Sequence, residues 1–115
     1  MATITYDAAT IQAAVDKAFY AAVKAAVDYQ TKHGESWACG FAWVNLPDVK
    51  LNTKAGKAFA ALGFRKSYNK GVDLWNPSKL GTQSMDIKEA GADAFVEVLM
   101  RELPGIKAYS CARMD

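Results

Sequence analysis

The side chains able to carry chemistry are few, and their spacing argues for recognition rather than bond making. His33 is the single histidine, so no imidazole pair exists for a metal cage or a proton relay. It falls in the last turn expected of a helix, where a partly charged ring complements the helix terminus without any chemical role. The two cysteines, Cys39 and Cys111, fit no zinc spacing and are too few for a disulfide framework. Both sit among apolar or small residues in strand-like stretches, with no polarising neighbour to make a thiolate, and read as reduced packing residues. Neither common phosphate-binding glycine signature is present. No catalytic residue, metal or cofactor is therefore assigned.

Aromatic and basic side chains are the more informative groups. In Ser36–Leu46, Ser-Trp-Ala-Cys-Gly-Phe-Ala-Trp-Val-Asn-Leu, two-residue spacing puts Trp37, Cys39, Phe41 and Trp43 on one face and Ala38, Gly40, Ala42 and Val44 on the other. A bare face admits a helix closely. An aromatic face has to be covered, bind something, or stay exposed at a cost. From Lys50 to Lys79 the chain carries Lys50, Lys54, Lys57, Arg65, Lys66, Lys70 and Lys79 against one acid, Asp73, so these lysines and the arginine are candidate phosphate contacts. Scattered surface lysines are commonplace and are the preferred explanation of them. The following segment is acidic, with Asp86, Glu89, Asp93, Glu97 and Glu102.

The elements that position these groups follow from periodicity. Asp7 or Thr10 caps a helix running to about His33, ended by Gly34, with Ile11, Val15, Ala18, Phe19, Ala22, Val23 and Ala26 as its apolar stripe. Pro47 closes the central strand. Asn52 or Thr53 caps a short helix from Lys54 to Leu62. Gly63 takes the terminating position and Phe64 folds back on Phe59. Phe64 to Tyr68 and Val72 to Asn76 form a hairpin around Asn69-Lys70-Gly71. A polar loop with Asn76, Gln83 and Ser84 as contact candidates leads to a capping box, Asp86 with Glu89, and a helix to about Leu103. A last strand spans Ile106 to Ala112.

That order predicts an α+β chain, a ferredoxin-like βαββαβ two-layer sandwich over residues 36–115 preceded by an extra amphipathic helix in residues 1–35, as one domain. With the first and third strands central, Asp73 and Trp75 fall on the open face while Val72 and Leu74 meet the helices. The last strand would lie antiparallel beside the first, with Cys39 and Cys111 as close neighbours. Trp37, Phe41, Trp43, Trp75 and Tyr109 then gather with Lys107 and Arg113. Such a face suits the stacking of unpaired bases. The preferred expectation is instead that the N-terminal helix lies across it as a second core layer.

The RNA-recognition-motif family shares the βαββαβ order, although its short aromatic signatures are not reproduced here. Asn52–Phe64 resembles the late helix and Gly-Phe turn of GNAT acetyltransferases, without the upstream loop that cradles coenzyme A. Cys39–Val44, Gly71–Ser78, Gln83–Gly91 and Ala112–Asp115 resemble a group of small uncharacterised bacteriophage proteins, which implies a viral product in a bacterial host cytoplasm.

At 115 residues and net charge +2 the chain suits neither a polycation nor a DNA mimic. No apolar run approaches the ~20 residues of a membrane span, and no signal peptide is legible. The leading expectation is a non-catalytic accessory protein that binds another protein or its own copy, possible as a homodimer, through the aromatic face and first helix. Nucleic-acid binding is the alternative, and a small-ligand binder or acetyltransferase-like enzyme the third.

Overall fold

A computed structural model describes residues 5–35 and 38–114. The elements are α1 (Ala8–His33), β1 (Gly40–Leu46), α2 (Lys54–Ala61), β2 (Arg65–Lys66), β3 (Val72–Trp75), α3 (Met85–Glu102) and β4 (Tyr109–Met114). The four strands form one sheet in the order β2-β3-β1-β4, antiparallel throughout, so β1 and β3 are the inner pair.

Local chemistry fixes the helix ends. The Asp7 carboxylate accepts from the Thr10 amide at the start of α1, and the Thr53 hydroxyl accepts from the Gly56 amide at the start of α2. α2 stops where Gly63 takes φ +109. The Phe64 amide then bonds back to the Phe59 carbonyl, and the two rings meet edge to face at 5.2 Å. α3 is capped by Ser84, whose hydroxyl accepts from the Ile87 amide, rather than by the expected Asp86 box. The helix begins two residues earlier than its acids suggest, leaving Asp86 inside the first turn.

Alternation along β1 sorts as its residues dictate. Ala42, Val44 and Leu46 are buried, together with Val72 and Leu74 of β3, and they join Phe59, Phe64, Phe95, Leu99 and Ile106 in a single core. α3 crosses this face, in contact with β1 and β4.

α1 does not lie across the aromatic face as expected; it packs along α3 and against α2, on the helix side. The reason is steric complementarity. The buried stripe of α1 is mostly alanine, namely Ala14, Ala18, Ala22 and Ala26 with Ile11 and Val15. On α3 it meets Gly91, where an added Cβ would stand 3.3 Å from the Ala22 carbonyl oxygen. Phe19 fills the space beside this approach and meets Phe95 edge on at 5.2 Å. A stripe of methyl groups gains more from a close helix than from a bumpy row of indoles.

Four further expectations are corrected. β1 begins at Gly40, with Cys39 making only an isolated bridge to Ser84; Ser36 and Trp37 lie outside the described residues. The hairpin strand β2 is only Arg65–Lys66. β4 starts at Tyr109, three residues later than Ile106, because the Ile106 amide closes a turn onto the Leu103 carbonyl and Ile106 and Ala108 are drawn into the core. In the resulting register Cys111 stands opposite Trp43, so Cys39 is four residues away along β1, about 13 Å. The cysteines share a parity but are not neighbours.

Candidate binding face

The open side of the sheet is laid out in rows. Phe41 on β1 faces Arg113 on β4. Next come Trp75, Trp43 and Cys111, from β3, β1 and β4. The third row is Arg65, Asp73, Asn45 and Tyr109, one from each strand. Side chains alternate faces, so neighbouring rows are about 6.8 Å apart.

Aromatic rings dominate this surface and remain accessible, Phe41 being 37%, Trp75 49% and Tyr109 55% exposed. Trp43 and Trp75 stack with centroids 4.6 Å apart and planes at 23°, and Phe41 abuts Trp75 edge on at 6.0 Å. Two cations attend Phe41: Lys88 Nζ lies 5.6 Å and the Arg113 guanidinium carbon 5.9 Å from its centroid. Lys88 is held there by donating to the Gly40 carbonyl at 2.9 Å.

Beside the indole pair a groove of about 430 Å³ is lined by Trp43, Asn45, Ser67, Asp73, Trp75 and Arg113, with hairpin residues Tyr68, Asn69 and Lys70 on one side and Cys111 on the other. Its floor is polar and ordered. Asn45 Nδ2 donates to Asp73 Oδ1 at 2.8 Å and to the Lys70 carbonyl at 2.9 Å. The Ser67 amide donates to the Gly71 carbonyl and the Ser67 hydroxyl accepts from the Asn69 amide, which fixes the hairpin as the groove wall. Burial, and secondarily the Asp73 charge, push the Cys111 thiol above its ordinary pKa, which keeps it protonated and weakly nucleophilic.

No family model, curated protein or solved structure matches the chain.

Phe41, Trp43, Trp75, Tyr109 and Arg113 therefore share one face, as the alternation predicts. Trp37 lies outside the described residues. The basic segment does not act as one patch. Lys54 and Lys57 ride on α2 with Lys50 just before it, Lys66 is exposed on the edge strand, and the Arg65 guanidinium donates to the Ala60 and Phe64 carbonyls. Only Lys70 reaches the groove, with its ammonium 3.9 Å from Asp48. The polar loop is tied down at three points: Asn76 donates to the Leu80 carbonyl, the Gln83 backbone carbonyl accepts from the Gly40 amide, and Ser84 caps α3.

Sequence reasoning missed Asn45, Ser67, Tyr68, Asn69 and Cys111 as groove residues and left Asp73 without a role. Parity held part of the signal, since Asn45 continues the series Phe41, Trp43. Among the described residues no His, Cys, Asp and Glu side chains group as a metal site, and no helix is long and apolar enough to cross a membrane.

Proposed function

We propose that the chain is a non-catalytic binding module of ferredoxin-like βαββαβ type with an added N-terminal helix, and that its open sheet face takes single-stranded nucleic acid. The observation that carries this reading is the cluster of exposed Phe41 and Trp75 with half-buried Trp43 on the two inner strands, with Lys88 and Arg113 beside it and Lys70 across the groove. Unpaired bases stack on flat rings whatever their sequence, and cations at the rim meet the phosphates. The inner position of β1 and β3 and the helices between the strands support the split βαβ assignment. A duplex buries the π faces of its bases and gains nothing from such a platform.

The test is a titration of the full chain with single- and double-stranded oligonucleotides, followed by tryptophan emission at two salt concentrations. Single strands are expected to quench the indoles, with log K falling against log salt at a slope of about −2 if Lys70, Lys88 and Arg113 each meet one phosphate. Unchanged emission at the lower salt, or equal affinity for duplex, refutes the reading.

A second reading has its own observation. Tyr20, Val23 and Val27 are exposed along the outer side of α1. Their three- and four-residue spacing makes a stripe suited to a second copy of the helix. Light scattering at rising concentration tests this self-association, and a constant monomer mass rejects it.

A further inference from the structure

Resting on the reading of the open face as a single-strand platform, we infer that the groove beside Trp43 and Trp75 is a base-reading subsite selective for guanine. The row that follows the indoles supplies the selectivity. Asp73 is only 6% exposed, and its Oδ1 is occupied by Asn45 Nδ2 at 2.8 Å. No wholly buried side-chain oxygen or nitrogen among the described residues lacks a partner, so the second carboxylate oxygen opens on the groove that Asp73 lines. Asn45 spends its amide hydrogens on Asp73 Oδ1 and the Lys70 carbonyl, which leaves its own oxygen as an acceptor. Asp73 and Asn45 thus set two acceptors side by side on the floor.

An acceptor floor selects a ligand edge with adjacent donors. Guanine has one, its ring N–H beside its exocyclic amine. Adenine and cytosine place an acceptor nitrogen beside their amine, and thymine flanks its single N–H with two carbonyls that a carboxylate repels. Geometry agrees with this chemistry. The polar row stands about 6.8 Å from the indole row, so a ring packed against Trp43 and Trp75 turns its edge to Asp73 and Asn45. An arginine side chain also presents adjacent donors on a plane. However, Lys70 and Arg113 line the same groove and oppose a cation, whereas they attract the phosphates flanking a base.

The deciding experiment uses the full chain and short oligothymidines in which one central base is guanine, hypoxanthine, adenine or cytosine. Hypoxanthine keeps the ring N–H and lacks only the exocyclic amine. The guanine strand is expected to bind roughly tenfold tighter than the hypoxanthine strand. Asp73→Asn should abolish that preference, so that its guanine and hypoxanthine strands bind alike. If guanine and hypoxanthine strands bind equally while the all-thymine strand still binds, the guanine assignment is overturned and the platform stands. If no strand binds, the platform fails and the assignment with it. An arginine-bearing peptide that displaces the guanine strand at lower concentration than free guanosine monophosphate gives the groove to a protein partner and overturns the assignment.

Discussion

Replacing Gly71 by alanine tests the junction between the hairpin and the inner strand, on which the groove wall depends. Gly71 has φ +77, and a Cβ built there would stand 2.0 Å from the Leu46 carbonyl oxygen and 2.6 Å from the Pro47 Cα. Two costs are present. Holding a residue with a side chain at positive φ is worth about 1–3 kcal/mol. Forcing a methyl against backbone that no rotamer change can move adds about 1–3 kcal/mol. Gly63 separates them, because it also has positive φ, +109, but its Cβ would meet only Leu74 Cδ1 at an ordinary 3.5 Å. Both variants gain alike from a stiffer unfolded chain, ~0.4–1 kcal/mol, so the difference between them isolates the collision. Urea unfolding should place Gly71→Ala about 1–3 kcal/mol below Gly63→Ala, read as a lower midpoint at unchanged slope. The same change should also weaken ligand binding, since Asn45 bonds to the Lys70 carbonyl next door. Equal midpoints for the two variants refute the close approach of the hairpin to Leu46.

Other outcomes follow from the same geometry. Ser84→Ala should cost about 1–2 kcal/mol, whereas Asp86→Ala should cost less than 1 kcal/mol, checked by thermal unfolding, because Ser84 and not Asp86 caps α3. Phe95→Ala removes a fully buried ring and should cost about 3–5 kcal/mol, against about 1 kcal/mol for the half-exposed Trp75, although only Trp75→Ala should weaken a bound strand, by roughly tenfold. The Asp7 carboxyl is held below its ordinary 3.8 by the Thr10 hydrogen bonds, and Glu102 below 4.5 first by its hydrogen bond from Lys17. Depressed folded values mean that their stabilisation is complete above those ordinary values and is lost as pH falls through the folded ones, so urea midpoints should drop below pH ~4.5 and drop less in Asp7→Asn with Glu102→Gln. Glu89, raised by burial and then by Asp93 and Asp86, works in the opposite sense, and Glu89→Gln should raise the midpoint at neutral pH.

Much of the α+β fold was legible because local rules and burial agree in it. Gly63 with Phe64 marked the end of α2, and the two-residue series from Ala42 to Leu46 marked the buried side of the sheet. Errors arose where a distant contact overrode a local signal. The run Ile106–Ala112 alternates well enough to read as strand, yet the core takes Ile106 and Ala108 before pairing starts, and β4 slides toward the end of the chain. Asp86 with Glu89 satisfies the pattern of a capping box, but Ser84 is fixed under the helix by its position beside the Cys39 bridge, so it reaches the orphan amide first. The groove was least legible. Asn45, Ser67 and Lys70 come from β1, the hairpin and its turn, and only the strand register makes them neighbours.

The exposure of the indoles and the placement of α1 have one cause. A helix whose inner stripe is methyl groups loses dispersion contacts wherever its partner is uneven, and gains them all along a groove of matching small residues. Gly91 and Ala92 on α3 make such a groove, and Ser78 closes on Gly91 from the loop side, where a Cβ would stand 2.9 Å away. Once α1 has settled there, its apolar demand is met on the helix side, and Phe41, Trp43 and Trp75 keep the open face that their positions on the inner strands give them. Gly91→Leu separates this cause from simple loss of core. It should drive α1 off α3, which loosens the helix pair as read by faster amide exchange along α1, while Trp43 and Trp75 remain stacked and their emission little changed. Emission that shifts in step with the loss of protection would mean that α1 and the aromatic face are coupled, and would overturn the separation of the two sides of the sheet.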